Sequence, residues 1–328
     1  MQIMPRPRIA TIRDVAALAG VAVGTASKAL NGQGSLRAET ITRVRQAAEQ
    51  LGFVANAAAR SLQTRRTYTV GMITTDTIGR FSIPMLIGVE DALGAGRISV
   101  LLCDARDDPI RERHHLDVLL SRRVDGIIVT GRRAGTRPPI DAGPGVPVVY
   151  AFLASADPAD CSVVPDEAGG AQAVLDHLTA LGRSRIVHVT GPAHHHSARV
   201  RASVFPDSLY GAWSESWGRQ AAAILLARGQ HFDAVACGND QIARGVTDAL
   251  REAGHRVPHD VAVTGFDNWA VIAEASRPPL TSVDMDLAGL GRAAANLLLQ
   301  AIAGNPATGT HTHPAHLVIR DSTVAVSP

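Results

Sequence analysis

The segment TIRDVAALAGVAVGTASKALNG, residues 11–32, decides how the whole chain is read. Thr11 followed by Asp14 fits a capping box, in which the hydroxyl and the carboxylate each satisfy an amide at the helix start, so a helix begins at Ile12. Val15, Leu18 and Ala19 share one face, and Ala19-Gly20-Val21 ends the helix because glycine supplies the left-handed turn. A second short helix is expected from about Val23 to Leu30, closed by Asn31-Gly32. It exposes Gly24, Thr25, Ser27 and Lys28, side chains suited to close approach to another molecule. A third helix, capped by Ser35, carries Ile41, Val44, Ala48 and Leu51 at spacings of 3, 4 and 3 and stops at Gly52. Three short helices around one miniature core, the first two joined by a glycine turn, fit a helix-turn-helix unit whose second helix enters a major groove. On spacing alone an ordinary αα corner fits too.

Charge separates these alternatives from a different direction. Residues 1–67 contain ten Arg or Lys against three Asp or Glu, a net of +7, whereas the remaining 261 residues carry −5. A basic head on a mildly acidic body is the electrostatic footprint expected for nucleic acid, because phosphate contacts supply most non-specific affinity. The bland alternative is a solvated basic tail.

The whole chain, 328 residues and 46% hydrophobic, is long enough for two or three compact units. No run approaches 18 uncharged apolar residues, and MQIMPRPRIA has no apolar stretch before a small-residue cleavage site, so the expected location is the cytoplasm, away from membrane. Cys103, Cys161 and Cys237 are far apart and lack CxxC spacing, which points to buried thiols rather than a disulfide framework or zinc knuckle.

From Tyr68 onward, apolar runs of four to seven residues alternate with helical segments, the pattern of parallel βαβ units. Strands are expected at 69–75, 98–103, 125–130, 146–152, 185–190, 233–237, 261–265 and 316–320. Helices are expected at about 82–95, 109–121, 167–181, 214–227, 240–253 and 287–303. The fold class is therefore α/β, with two doubly wound parallel sheets behind the helical head. Ligands bind such sheets beyond the carboxyl ends of the strands, where Thr75-Asp76, Asp104, Asp166, Asn239-Asp240 and Asp267-Asn268 fall. No dinucleotide-binding glycine fingerprint accompanies them, and no cofactor is expected.

The head resembles that of the LacI/GalR family of bacterial transcription factors, through Thr11-Ile12, Asp14-Val15-Ala16, Leu18-Ala19-Gly20-Val21, Val23, Thr25, Ser27, Leu30-Asn31, Thr40, Val44, Leu51-Gly52-Phe53, Asn56 and Ala59-Arg60-Ser61-Leu62. The resemblance continues through VDGIIV (124–129), Asp166 with Gly169-Gly170, GNDQIA (238–243), GFDN (265–268) and PPLTSV (278–283), so it covers nearly the whole chain. It implies a helix-turn-helix domain over 1–55, a hinge helix and linker over 56–67, and a two-lobed periplasmic-binding-protein-like body over 68–328. The lobes would be about 68–163 with 284–312, and 164–283 with 313–328.

By the same resemblance, Val23, Gly24 and Lys28 sit where base edges are read, and Thr25, Ser27 and Asn31 where phosphates are held, with Thr11 also at the DNA. Asn56, Ala59, Arg60 and Leu62 belong to the hinge helix, which orders on operator DNA beside its dimer mate with Leu62 wedged into the minor groove. The linker NAAARSLQTRR, 56–66, has too little apolar surface to fold alone, so a plain flexible linker is its alternative. Gly24 departs from the family in having no side chain to read a base, and Ala22 replaces the usual Ser or Thr cap, costing about 1 kcal/mol.

In the body, the resemblance places Arg201, Trp213, Asn239 and Asp267 on effector-binding positions, a charged fork, an aromatic face and a carboxylate that suit a polyol. Asp76, Phe81, Asp104, Phe152 and Asp166 complete the expected effector set. The structural alternatives are that Asp267 caps a turn and Trp213 is core. Phe152, where many sugar-binding members place a polar residue, and Met285 suggest a more apolar pocket. Only eleven residues separate Arg201 from Trp213, too few for the family's helix, turn and strand, so this lobe is expected to lack an element. His194-His195-His196 and His311, His313 and His316 are read as loop or cleft-lip residues rather than a metal site, since consecutive histidines cannot all face one ion.

The implied function is a homodimeric repressor whose affinity for double-stranded operator DNA is set by a small effector, a sugar or nucleoside. The alternatives are a solute-binding module without regulatory DNA binding and a regulator that has lost its effector response. Catalysis is not expected, because no nucleophile–base pairing, metal signature or phosphate loop is present.

Overall fold

The computed structural model describes residues 10–31, 34–53, 66–94, 98–229 and 231–324. The chain divides into two compact units between Thr67 and Tyr68.

The first unit contains α1 (Ile12–Leu18), α2 (Val23–Asn31) and α3 (Ala38–Gln50). The capping box at the start of α1 forms, and the Asp14 carboxylate accepts both the Thr11 amide at 2.8 Å and its hydroxyl at 2.7 Å. Gly20 takes the left-handed turn expected of it, at φ +64. The core is built almost entirely from alanine and valine: Val15, Ala16, Ala19, Ala26, Ala29, Val44, Ala47 and Ala48. Such small side chains let three short helices approach closely, with Leu36 and Phe53 packed at the margins. Two expectations need correction. Leu18 is 51% exposed, and Ala16 takes the buried place. Ser35 does not cap α3; the N-cap is Arg37, because Leu36 must first pack on the core and the helix starts only after it.

The second unit has two six-stranded sheets. The first holds β1 (Thr69–Thr74), β2 (Ser99–Asp104), β3 (Gly126–Thr130), β5 (Val148–Ala151), β7 (Cys161–Pro165) and β13 (Gly309–His313), in the order β13-β7-β5-β3-β1-β2, all parallel. A small parallel pair, β4 (Thr136–Arg137) and β6 (Ala154–Ser155), stands apart. The second large sheet holds β8 (Ile186–Thr190), β9 (Ser208–Tyr210), β10 (Ala234–Cys237), β11 (Ala262–Phe266), β12 (Thr281–Asp284) and β14 (His316–Val318), in the order β14-β12-β11-β10-β8-β9. Only β14 runs antiparallel in it.

Alternation along each strand divides the cores. Val70, Met72 and Ile128 face α4 (Ser82–Leu93) and α11 (Leu287–Ile302), whereas Ile73, Ile127 and Val129 face α5 (Pro109–Ser121). In the second sheet, Ala234 and Ala236 face α6 (Glu167–Ala180), while Val235 and Cys237 face α8 (Glu215–Ala227) and α9 (Asp240–Glu252). At two helix crossings only glycine fits. A Cβ on Gly88 would lie 1.9 Å from the Ala288 carbonyl oxygen, and one on Gly245 would lie 2.1 Å from that of Glu215.

The lobe expected to lack an element has it, in shortened form. Between β8 and α8 the chain makes α7 (His196–Ala202), seven residues long, then the three-residue β9, which pairs parallel with β8 from His188↔Ser208 to Thr190↔Tyr210. Shortening the helix, rather than deleting the strand, fits the segment. The periodicity also missed β7, β12 and β13, which are short or polar, and α10 (Ala270–Ala273). The chain passes between sheets three times, after β7, after β12 and between β13 and β14, and the Asp166 amide donates to the His313 carbonyl at 2.8 Å to tie two of the crossings together. No described helix is long and apolar enough to cross a membrane.

Candidate functional site

In the head, α2 buries Ala26 and Ala29 and turns outward Val23, 44% exposed, with Gly24 and Lys28. A Cβ at Gly24 would meet nothing within 4 Å, so the helix surface is flat there. Thr25 and Ser27 are half-buried, and the Thr25 and Ala26 amides donate to the Ala22 carbonyl at 2.9 and 3.0 Å with no capping side chain. Thr11 is exposed but its hydroxyl is engaged by Asp14. The Asn31 side chain, and Asn56, Ala59, Arg60 and Leu62, lie outside the described residues.

In the body, a cleft of about 760 Å³ opens at the carboxyl ends of both sheets. Asp76, Phe81, Phe152, Arg201, Trp213, Asn239 and Asp267 all line it. Asp104 and Asp166 do not, and both must be withdrawn from the effector set. Asp104, at the end of the edge strand β2, turns to accept the Arg106 amide at 2.9 Å, and Asp166 caps α6 by accepting the Gly169 amide at 2.8 Å. The next residue, Glu167, is the one that reaches the cleft floor from beneath.

Arg201 organises that floor. It is 4% exposed, donates from Nε to Glu167 Oε1 at 3.1 Å and from one terminal nitrogen to the Gly238 carbonyl at 2.6 Å, and pairs with Asp267 at 3.3 Å. Its guanidinium lies 3.7 Å above the Phe266 ring, and Met285 Sδ sits 3.8 Å below its other nitrogen. Met285 is thus buried support for Arg201 and not part of the pocket wall. Asp267 takes a second cation: Arg80, from the loop before α4, is ion-paired with its other oxygen. Arg80 also donates to Gln241 Oε1 at 3.1 Å and lies 4.6 Å from the Trp269 ring, so it reaches across from the first sheet's side to three residues of the second.

The aromatic residues form two walls. Phe81 and Phe152 stack at 4.9 Å, and Trp213 donates from Nε1 to His195 Nδ1 at 2.8 Å. Phe152, at φ +73, and Asp267, at φ +98, are non-glycine residues held in the left-handed region, one from each half of the body. Backbone strain of this kind collects where side chains are aimed at a ligand. Asp76 and Asn239 serve helix ends as well as the cleft. Asp76 accepts the Phe81 and Ser82 amides at 2.7 and 2.9 Å, and Asn239 accepts that of Ile242 at 2.8 Å.

Two buried groups beside the floor are shifted. Burial, with the Asp267 charge, pushes Asp240 up to about 7, against hydrogen bonds from Ser282 and the Trp269 amide. Burial, with the Arg201 charge, pulls His188 down to about 3. Burial and then Arg133, His194, Arg132 and Arg199 hold His195 below its usual value. Cys161 and Cys237 are buried and Cys103 is half-buried, each thiol pushed up chiefly by burial.

Sequence reasoning missed Arg80, Gln241, Trp269 and the arginines of the rim, Arg132, Arg133 and Arg199, all of which line the cleft with His194, His195 and His196. The adjacency of Arg80 and Gln241 to Asp76 and Asn239 was the available signal. Among the described residues no group of three His, Cys, Asp or Glu is placed to hold a metal.

A helix-turn-helix head joined in one chain to a body with a ligand-sized interlobe cleft defines a DNA-binding regulator that reads a small molecule. Comparison with known proteins agrees. The model for bacterial regulatory proteins of the lacI family matches residues 11–56, and a periplasmic binding protein-like domain model matches residues 175–323. The transcriptional regulator CelR of Thermobifida fusca is 32% identical over 96% of this chain and 97% of its own. Among solved structures, the lac repressor dimer bound to operator and the anti-inducer ONPF matches with a TM-score of 0.78 at 26% identity, covering 97% of this chain and 100% of that one. A CelR–cellobiose complex matches with a TM-score of 0.64 at 28% identity, covering 95% and 99%. The chain belongs to the lacI family of bacterial regulatory proteins. It is a DNA-binding transcriptional repressor under small-molecule control.

Proposed function

We propose that this repressor acts in the cytoplasm as a homodimer, one head per operator half-site, and that a sugar-like or nucleoside-like effector held between the lobes changes its operator affinity. The carrying observation is the convergence of Arg201, Asp267, Trp213, Phe81 and Phe152 on one cleft formed by both halves of the body. The CelR complex holding cellobiose and the lac repressor dimer on its operator support the ligand class and the assembly. Two half-sites one helical turn apart require a twofold partner.

The proposed boundaries are a head over 1–55, a hinge over 56–67 and a body over 68–328, with Val23, Gly24 and Lys28 at base edges and Thr11, Thr25, Ser27 and Asn31 at phosphates. Asn56, Ala59, Arg60 and Leu62 belong to the proposed hinge. No catalysis is assigned to the cleft, since its carboxylates are engaged, Asp76 as a helix cap and Asp267 in ion pairs. The ligand works by preferring one lobe arrangement, because only differential affinity shifts an equilibrium.

The test is operator selection from genomic DNA with purified full-length protein, followed by binding across a salt series. A preferred palindromic duplex with steeply salt-dependent affinity is expected. Absence of any preference over random DNA, with and without ligands, overturns the reading. Leu62→Ala is expected to weaken operator binding while leaving effector binding intact.

A further inference from the structure

We propose that the effector is an acid: a sugar-sized molecule carrying a carboxylate or phosphate, with that anionic group seated against Arg133 and Arg199 at the His194–His196 end of the cleft. This rests on the effector-cleft reading above and narrows its ligand class.

The argument is an accounting of donors and acceptors. On the acceptor side, the carboxylates of the floor are largely engaged, and among the described residues Asp76 Oδ1 with the Thr136 and Ser197 hydroxyls are the lining side-chain acceptors left open. Asp267 receives Arg80 and Arg201, and Glu167 beneath it receives Arg201 twice. Asp76 receives two backbone amides and the Ser82 hydroxyl, the Asn239 carbonyl oxygen receives the Ile242 amide, and Gln241 Oε1 receives Arg80. A neutral polyol brings a proton donor with every hydroxyl, and a donor buried without an acceptor costs its full desolvation.

On the donor side the cleft has a surplus. Five arginines line it against two aspartates. Arg80 and Arg201 are paired within the floor, and Arg132 is turned to Asp107 at 3.0 Å, outside the cleft lining. Among the described residues, Arg133 and Arg199 have no acidic partner; Arg199 donates only to the Ala193 and His194 carbonyls, at 3.3 and 2.6 Å. Arg80 Nε is buried with no acceptor. Because His195 Nδ1 accepts from Trp213, the neutral ring carries its proton on Nε2, a further donor. An ionised carboxylate or phosphate group only accepts, so in place of a hydroxyl it removes one donor and uses this surplus. A cationic cleft with low-dielectric walls concentrates it, and the remaining hydroxyls of the molecule take the acceptors still open. The Trp213 indole then serves as the flat wall for the uncharged part of the molecule.

The experiment measures binding to the full-length protein by calorimetry with D-gluconate, D-glucuronate, glucose 6-phosphate and ribose 5-phosphate, each beside glucose, ribose and cellobiose. At least one acid is expected to bind saturably, more tightly than its neutral counterpart, and more weakly as salt rises. The carboxylate and phosphate arms tell which anion is read. Arg133→Ala and Arg199→Ala are each expected to weaken that acid by about tenfold, and to weaken it more than its neutral counterpart. The inference is overturned if a neutral sugar binds as tightly as its acid counterpart, if both substitutions leave the acid's affinity unaltered, or if all four acids are silent. Operator binding is measured separately on the same preparation: loss of duplex preference strikes the regulator reading alone, and loss of acid preference strikes the ligand charge alone.

Discussion

Arg80 from one half of the body and Asp267 from the other are ion-paired across the cleft, with side chains 13% and 6% exposed. The pair joins the lobes at the place where a ligand must sit. Asp267 is held at φ +98 after β11, and the Arg80 guanidinium is sandwiched by Phe81 at 5.0 Å and Trp269 at 4.6 Å. Both side chains are held in place, and the contact is expected to act as a latch that favours the approached lobes.

Removing Asp267 tests the latch and the floor together. Asp267→Ala leaves Arg201 and Arg80 buried with fewer counter-charges, which costs about 3–5 kcal/mol for a pair of this burial. Thermal unfolding of the body is expected to drop accordingly. Arg80→Leu is expected to be milder, since Asp267 keeps Arg201, and to raise the apparent Kd for effector by shifting lobes toward the open arrangement. Wild-type effector affinity in Arg80→Leu would show that the latch does not bear on binding.

Trp213 is fixed from behind by a glycine. A Cβ on Gly191, just past β8, would lie 2.1 Å from the indole, so Gly191→Ala forces the ring forward into the cleft. Overpacking of this kind costs about 1–3 kcal/mol. The expected outcome is altered tryptophan emission, a lower melting temperature and weakened effector binding; unchanged emission and binding would remove Trp213 as a cleft wall.

Asp240 makes stability fall with rising pH. Its folded value, up to about 7, lies above that of an exposed aspartate, so the folded state holds a proton that the unfolded state has released. The associated stability is fully present below about pH 4 and is lost as pH climbs through about 7. His188, down to about 3, acts in the opposite sense, and its contribution is lost as pH falls from about 6.5 toward that value. Between these limits the two slopes oppose each other. Melting temperature is therefore expected to decline from about pH 6.5 to 7.5, and Asp240→Asn to flatten that decline. An unaltered profile in Asp240→Asn would assign the slope to other groups.

Much of this was legible in the sequence, and the failures have physical causes. The capping box of Thr11 and Asp14, the turn at Gly20 and the apolar strands β1, β3, β10 and β11 follow local rules that burial then reinforced. Strand β13, GTHTH, is a polar edge, and its pairing with β7 is a long-range event with no local signature. Asp166 and Glu167 illustrate the limit at the site. Both acids follow a strand, but the first is drawn to the helix amides and only the second reaches Arg201, a difference set by helix phase rather than residue type. For Arg80 the nearness to Asp76 was the one local hint, since its ion-pair partner is 187 positions away.

The head offers a prediction in which shape and charge separate. Gly24 sits inside α2 with open space around it, so Gly24→Ala gains helix propensity of about 1 kcal/mol without a clash. It adds no charge, and the slope of operator affinity against salt is expected to stay as in wild type. Lys28→Ala removes an exposed cation that the proposed function places at a base edge, and is expected to weaken the preferred operator more than random duplex while leaving that slope nearly as in wild type. If Gly24→Ala stabilises the head but weakens operator binding, the flat surface at Gly24 is needed for close approach to the base pairs. If Lys28→Ala instead lowers the salt slope by about one per head and weakens all duplexes alike, Lys28 meets phosphate and does not read a base edge.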